Sequence, residues 1–387
     1  MSTPTERSYG EDRDFLRRHA DCIELVSSDG RARVAVVGQY QGRVMTSTAR
    51  GEGGDSFGFV RYEAVASKET VPHINVYGGE DRFWLGPEGG QYAIFFAEGD
   101  PFDLEHWQTP AVIDTEPFEL AVHDPTQARF TKTASLRNWS GTDFVVRIDR
   151  TVRLLAADAV AQALGVALPA GIDCVAFRTD NQLTNAGAEP WRKETGLLSI
   201  WILGMFKPSP TATVVVPFEA GDDADLGPKV NDAYFGAVPP DRLVVRDDVL
   251  FFAADGRRRS KIGIGPRRCK PRCGSYDPSR SLLTIVQFNR PAGVTDYVNS
   301  MWEQQAEPYG GDVVNSYNDG PPAPDKPPLG PFFELETSSP ALALAPGQSF
   351  SHRSTTVHFQ GPREALDTLA RHCLGVTLDE IERALPR

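Results

Sequence analysis

Short strand-type runs recur along almost the whole chain, and turn residues separate them. Residues 118–122, 129–136 and 144–154 alternate apolar and polar side chains, the period of a strand with one buried face. Further runs occupy 23–26, 33–37, 43–47, 57–64, 92–96, 174–183, 196–205, 211–218, 242–252, 281–288, 332–337 and 350–359. Ser28-Asp29-Gly30, the glycine-rich 50–55 and the turn at 344–348 punctuate them. Residues 174–183 and 196–205 read as a pair joined through Asn185-Ala186-Gly187. A chain of this rhythm folds as all-β, and 387 residues favour a large sandwich. The 30 prolines, 35 glycines and 21 phenylalanines fit the many turns and strands required.

Helices are peripheral. Residues 12–19, 156–164 and 295–305 read as helices, and two more follow Gly361. Gly375 ends the first of these, and Thr377 with Glu380 forms a capping box for the second. Residues 310–331, dense in proline and glycine, read as a loop. The expected organisation is an N-terminal segment with a short helix (1–21), one β-sandwich domain (22–360) and a helical tail packed on it (361–387).

The net charge of -12 excludes a general nucleic-acid or anionic-membrane binder, since phosphate attraction needs a basic surface. Residues 257–259 and 267–270 are the only dense basic runs. Neither a secretory leader nor a spanning segment is evident, so a cytoplasmic location is expected. Five scattered cysteines make no disulfide framework, and Cys269 and Cys273 lack a second pair of ligands nearby. Reduced thiols, no structural zinc and no cofactor are expected.

Residues 77–91 stand out chemically. Five glycines and a proline surround Arg82, three acids, Gln91 and large aromatics. Glycine lets backbone approach a ligand, arginine and glutamine give directional hydrogen bonds, and tryptophan gives a flat apolar face. A sugar, with an apolar ring face and a polar rim, needs that mixture. Tyr77, Arg82, Trp84, Glu88 and Gln91 are therefore candidate binding residues; the competing reading is a tight β-corner in which Glu88 pairs with Arg82. His73, Asn75 and Tyr77 share a face if the segment is extended. Lys261 opens an Ile-Gly-Ile-Gly strand, and Asn318 and Asp319 stand in the long loop, placed to rim a cleft. Asp319 with Glu334 could hold a hard cation, but no spacing demands it, and no metal is expected.

Several segments in order resemble the galactose mutarotase-like superfamily, which includes the aldose 1-epimerases. They are Gly42-Arg43-Val44-Met45, Tyr77-Gly78-Gly79 with Arg82 and Trp84, and Thr179 to Gly187. The most telling is Glu334-Leu335-Glu336, followed by Pro340, Leu344-Ala345-Pro346-Gly347-Gln348 and the strand from Thr355 to Phe359. The resemblance implies a β-supersandwich and acid–base chemistry at an anomeric carbon, in which a carboxylate takes the hydroxyl proton and an acid protonates the ring oxygen. It places the base at Glu336, with Glu334 on the same face of the strand, where mutual repulsion should raise one pKa. Two departures matter. Tyr77 stands at the family's early histidine, and 196–206 lacks its acid histidine, which leaves His73 as a substitute acid. The expected partner is a small or oligomeric carbohydrate. The expected function is a carbohydrate-binding protein of this superfamily, either an epimerase-like enzyme acting by acid–base chemistry or, as alternatives, a non-catalytic sugar-binding module or a glycoside hydrolase or polysaccharide lyase. Arg82, Glu88, Lys261 and Glu336 should converge on one cleft.

Overall fold

The computed structural model describes residues 7–323 and 325–386, so the first six residues, Pro324 and Arg387 fall outside it. Among these described residues eighteen strands follow one another. The first four are β1 (Cys22–Val26), β2 (Arg33–Val37), β3 (Arg43–Thr48) and β4 (Arg82–Gly86). Then come β5 (Glu119–Asp124), β6 (Gln127–Arg137), β7 (Asp143–Leu154), β8 (Asp173–Asn185) and β9 (Ser199–Phe206). Next are β10 (Thr213–Pro217), β11 (Leu243–Val245), β12 (Val249–Ala253), β13 (Ser260–Ile264) and β14 (Arg272–Asp277). The last are β15 (Leu282–Phe288), β16 (Val314–Asn318), β17 (Phe333–Ser338) and β18 (Ser349–Gln360). The helices are α1 (Tyr9–His19), α2 (Tyr62–Ser67), α3 (Ala111–Asp114), α4 (Ala157–Leu164), α5 (Asp223–Leu226), α6 (Arg363–Leu374) and α7 (Leu378–Ala384).

Three antiparallel sheets result. The large one runs β11-β12-β10-β14-β15-β18-β8-β7-β6-β5, the second β13-β16-β17-β9-β4, and the small one β1-β2-β3. The two larger sheets face each other. Phe333, Leu335, Ile262 and Ile264 of the five-stranded sheet pack with Val214, Val216, Phe252 and Val286 of the large sheet. Phe83, Leu85, Ile200 and Ile202 meet Val146, Ile148, Phe177 and Leu183 in a neighbouring cluster. Each set is every second residue of its strand, as the pleat requires. Polar ties also cross this interior: Arg150 pairs with Asp81 at 2.5 Å, Thr179 Oγ1 donates to the same carboxylate at 3.0 Å, and Thr337 Oγ1 meets His352 Nε2 at 2.9 Å. Against the opposite face of the large sheet, Leu366, Leu369, Leu374, Leu378 and Ile381 of α6 and α7 bury Val215, Leu283, Val357 and Phe359.

Several local expectations give way to tertiary packing. Residues 57–61 make only isolated bridges, such as Gly58 with Phe206, and Tyr62 opens α2. Residues 92–96 are not a strand; Phe95 is buried by stacking on Trp107 and tilting against Trp84 rather than by pairing. Residues 295–305 are not a helix, because side chains capture the backbone: Asn299 Oδ1 accepts Met301 N–H, and Gln305 donates to the Asn299 and Met301 carbonyls. The 242–252 run is the hairpin β11–β12, with Asp247 and Asp248 in its turn. The expected 174–183 with 196–205 pairing is replaced by placement of β8 and β9 in different sheets. The 310–331 segment contains a central strand, β16, paired on both sides.

Candidate functional site

The five-stranded sheet has a second face, turned away from the sandwich interior. Register fixes what lies on it. Arg82 stands opposite Leu203, Leu203 opposite Glu336, and Glu336 opposite Asn315. One step along, Met205 faces Glu334, Glu334 faces Tyr317, and Tyr317 faces Lys261. Trp84 lies opposite Trp201. Five strands that are distant in sequence thus bring ionisable and aromatic side chains to one surface. Nearly all of it is buried beneath loops: Arg82, Trp84, Trp201, Asn315, Tyr317, Glu334 and Glu336 are buried, and Lys261 nearly so.

The ion pairs run diagonally across the strands. Lys261 Nζ lies 3.0 Å from Glu336 Oε2, and Trp201 Nε1 donates to the same oxygen at 3.0 Å. Arg82 donates to Glu334 Oε1 at 2.8 Å, with its guanidinium 4.1 Å from the Trp84 ring centroid. Trp84 and Trp201 meet edge to face at 5.6 Å. Lys261 also lies over the rings of Trp201 and Tyr234, at 4.7 and 5.3 Å. Tyr234 donates its hydroxyl to Asp312 at 2.6 Å and accepts from Asn315 at 3.1 Å. Four buried polar atoms here have no protein partner: Glu336 Oε1, Arg82 Nε, Trp84 Nε1 and Ser199 Oγ. Buried polar atoms are ordinarily hydrogen-bonded, so such a concentration marks a place for polar ligand atoms or water. The cavity between Trp201, Tyr234, Lys261, Asp312, Val298 and Ser300 measures about 20 Å³, enough for a single water. With the loops bearing Tyr234 and Ser300 as they stand, this cavity has no room for a ring-sized ligand.

Electrostatics separate the acids. Burial raises the Glu334 carboxyl; Arg82 opposes this and the charge of Glu336 adds to it. The expected repulsion between the two glutamates is thus present, but burial outweighs it. Burial also raises Glu88, Glu336 adds to the effect, and Lys261 opposes it. For Lys261, burial alone would lower the ammonium pKa, but Glu336, Glu88 and Glu334 outweigh it and the net shift is upward. Burial raises Asp312 and Asp319 as well.

The structure brings Arg82, Trp84, Lys261, Glu334 and Glu336 together, with Glu88 within reach of their field. Arg82 pairs with Glu334 and not with Glu88, whose backbone N–H donates to Ser300. Gly78 and Gly79, with φ of 95° and 109°, let this corner pass against the 43–60 segment; a Cβ on Gly78 would stand 2.0 Å from the Phe59 carbonyl.

The other candidates serve local structure. Residues 73–76 are not extended: after Pro72, His73 takes a left-handed φ of 71°, and its Nδ1 engages the Trp107 carbonyl at 2.5 Å. His73, Asn75 and Tyr77 therefore do not share a strand face. Asn75 latches Asp114 with backbone and side-chain donors, and Tyr77 stacks on Tyr40 at 4.0 Å. Gln91 ties its loop to Gln305 by two bonds of 2.9 Å. Asn318 lies in β16, not in a turn, and its amide holds the 255–259 turn. Asp319 accepts from the Tyr317 hydroxyl and the Gly330 N–H, both at 2.8 Å. Among the described residues no cluster of three or more His, Cys, Asp or Glu side chains is placed to hold a metal, and all five cysteines are unpaired thiols.

Sequence reasoning missed Trp201, Tyr234, Asp312 and Asn315. Asn315 had no signal, because Val313-Val314-Asn315-Ser316-Tyr317 does not alternate apolar with polar residues. Tyr234 and Asp312 arrive on loops and carry none.

A family model described as a family of unknown function, DUF6786, matches residues 7–385. The chain belongs to that family. No curated protein matches this DUF6786 member. Among solved structures, an Escherichia coli K12 protein provisionally named an aldose 1-epimerase matches with a TM-score of 0.51 at 13% identity, over 88% of this chain and 99% of that one. A galactose mutarotase-like protein from Lactobacillus casei matches at 10% identity and a TM-score of 0.47, over 88% and 100%. At such identities the likeness shows the fold alone: this DUF6786 member is a mutarotase-like β-sandwich. Among its described residues no helix is long and apolar enough to cross a membrane.

Proposed function

We propose that this chain binds a carbohydrate over the outer face of the five-stranded sheet and acts on it by acid–base chemistry at the anomeric centre. The observation that carries the reading is Glu336. Its side chain is fully buried, Oε2 is held by Lys261 and Trp201, and Oε1 has no protein partner. A carboxylate fixed through one oxygen and free at the other is oriented to take a hydroxyl proton. Trp84 and Trp201 offer apolar ring faces beside it, and the free N–H groups of Arg82 and Trp84 offer directional donors, which is what a polyol needs. No histidine supplies the acid. Glu88, whose carboxyl burial holds in the protonated form to higher pH, fits that role. The relatives' names agree with this reading and do not carry it.

The test is anomer interconversion of D-galactose and D-glucose, followed by polarimetry, with sugar binding followed by ligand-observed NMR. Wild type should accelerate interconversion, and Glu336→Gln should lose roughly 10²-fold or more of it while still binding sugar. Binding without acceleration in either protein would replace the enzyme by a non-catalytic sugar-binding protein. Absence of binding to any aldose would overturn the proposal.

A further inference from the structure

The turn before β13 carries Arg257, Arg258 and Arg259, in a chain of net charge -12. It is firmly held. Asn318 Oδ1 accepts the Gly256 N–H at 2.9 Å, and Asn318 Nδ2 donates to the Arg258 carbonyl at 3.0 Å. The Arg257 N–H donates to Asp255 at 3.1 Å, and Asp255 is itself ion-paired with Arg242. The backbone at Gly320 packs so close that a Cβ there would stand 2.4 Å from the Arg259 nitrogen, which only glycine permits. A run of arginines that merely solvated a loop would not need this scaffold.

Arg259 ends this turn, two residues before Lys261 of β13, and its charge is felt by Tyr317 and Asp319 of the neighbouring β16 region. Its guanidinium carbon sits 3.9 Å from the ring centroid of Phe235, while Lys261 lies over the adjacent Tyr234. Two consecutive rings of one loop therefore carry two cations. Their counter-charges differ. Lys261 has Glu336 at 3.0 Å and Arg82 has Glu334 at 2.8 Å. Among the described residues Arg259 has no ion-pair partner. Asp319 and Glu88 both feel the charge of Arg259, but Asp319 commits both oxygens to Tyr317 and Gly330, and neither carboxyl is ion-paired with Arg259. Phe235 is 44% exposed, so the stacked guanidinium stands at the open rim of the site. A guanidinium backed by a ring presents its fork of N–H donors edge-on, the geometry that matches a carboxylate or phosphate.

We propose that Arg259 reads an anionic substituent of the sugar bound over Glu336, so that the substrate class is acidic sugars. This rests on the sugar-binding reading above. The probes are D-glucuronate and D-galacturonate, the 6-phosphates of glucose and galactose, the neutral parent sugars, and inorganic phosphate and acetate alone, each titrated into the full chain by calorimetry or NMR. Acidic sugars should bind about tenfold tighter than their neutral parents, with the uronate and phosphate arms showing which anion fits. Arg259→Gln should erase that preference and leave neutral-sugar affinity within about twofold, and Arg259→Lys should restore it in part. Should Arg259→Gln lose its native circular dichroism, Phe235→Ala removes the platform and should weaken the same preference. A preference that is missing in wild type, unchanged in both variants, or matched by inorganic phosphate or acetate alone overturns the inference. Neutral-sugar binding without preference sinks this inference only; binding of no sugar at all sinks the sugar-binding reading with it.

Discussion

Replacing Lys261 by methionine keeps the chain's reach and removes its charge. Its Nζ is 3.0 Å from Glu336 Oε2, and the two side chains are 11% and 0% exposed. Removing one partner of a buried pair leaves the other charge uncompensated, at a cost of about 3–5 kcal/mol. Trp201 still donates to Glu336 in the variant, so the lower end, about 3 kcal/mol, is expected. Unfolding entropy scales with length; for 387 residues it is about 0.8 kcal/mol per kelvin, so the melting temperature should fall by about 4 °C. Glu336→Gln alone leaves the lysine beside Glu88 and Glu334, whose fields still favour the ammonium, and should cost less. The double variant Lys261→Met/Glu336→Gln buries neither charge and should recover most of the loss, giving a coupling of about 2 kcal/mol. Urea unfolding of the four proteins, followed by tryptophan fluorescence, measures it. Effects that add to within about 0.5 kcal/mol would refute the pair as an energetic unit.

Glu88→Gln tests the electrostatics. Because burial raises the folded-state pKa of Glu88 above its unfolded value, the folded state holds a proton that the unfolded state loses, so this group's contribution to stability declines as pH rises through that window. The amide cannot ionise; Glu88→Gln should therefore gain on wild type as pH rises above about 4.5, and parallel stability–pH curves would contradict it. Asn318→Ala strands the Gly256 N–H and the Arg258 carbonyl, and should cost about 1–3 kcal/mol in urea unfolding; a loss below about 0.5 kcal/mol, the size of a typical surface substitution, would show that the arginine turn is not held by this amide. Combined with the anomer-interconversion test of Glu336→Gln and the acidic-sugar titration of Arg259→Gln, these separate the fold's needs from the site's.

How far the sequence speaks depends on how local the cause is. Strands such as β6 and β7 were legible because period-two alternation records a half-buried surface within the strand itself. The β16 strand was not, since its Asn315, Ser316 and Asn318 are polar and buried, and their satisfaction comes from neighbours. At the site, Arg82, Lys261, Glu334 and Glu336 could be nominated by residue type and alternation. Their pairing could not: the partner of Arg82 is 252 positions away, beyond the reach of any spacing argument, while Glu88, close by in the same corner, looked the natural choice. His73 failed for a local reason, the left-handed turn after Pro72, which strand alternation cannot register.

The two faces of the five-stranded sheet decide how its charges should be read. A sandwich needs only its inner face to be apolar, and Ile262, Ile264, Phe333 and Leu335 meet that need. The outer face has no such duty, yet loops roof it and place Arg82, Lys261, Glu334 and Glu336 away from water. Buried ion pairs of this kind rarely outperform apolar residues of the same volume. Met205 and Tyr317, on the same face, show that apolar packing under a loop is available there, against Phe59, Val76 and Phe332. Stability alone therefore does not account for the four charges, nor for the polar atoms beside them that have no protein partner. With no histidine on this face among the described residues, the proton chemistry proposed above would rest on carboxylates with unlike surroundings: Glu336 held by a lysine and an indole N–H, and Glu88 with its pKa raised by burial. That division of roles is the arrangement by which two identical side chains can act as base and acid together.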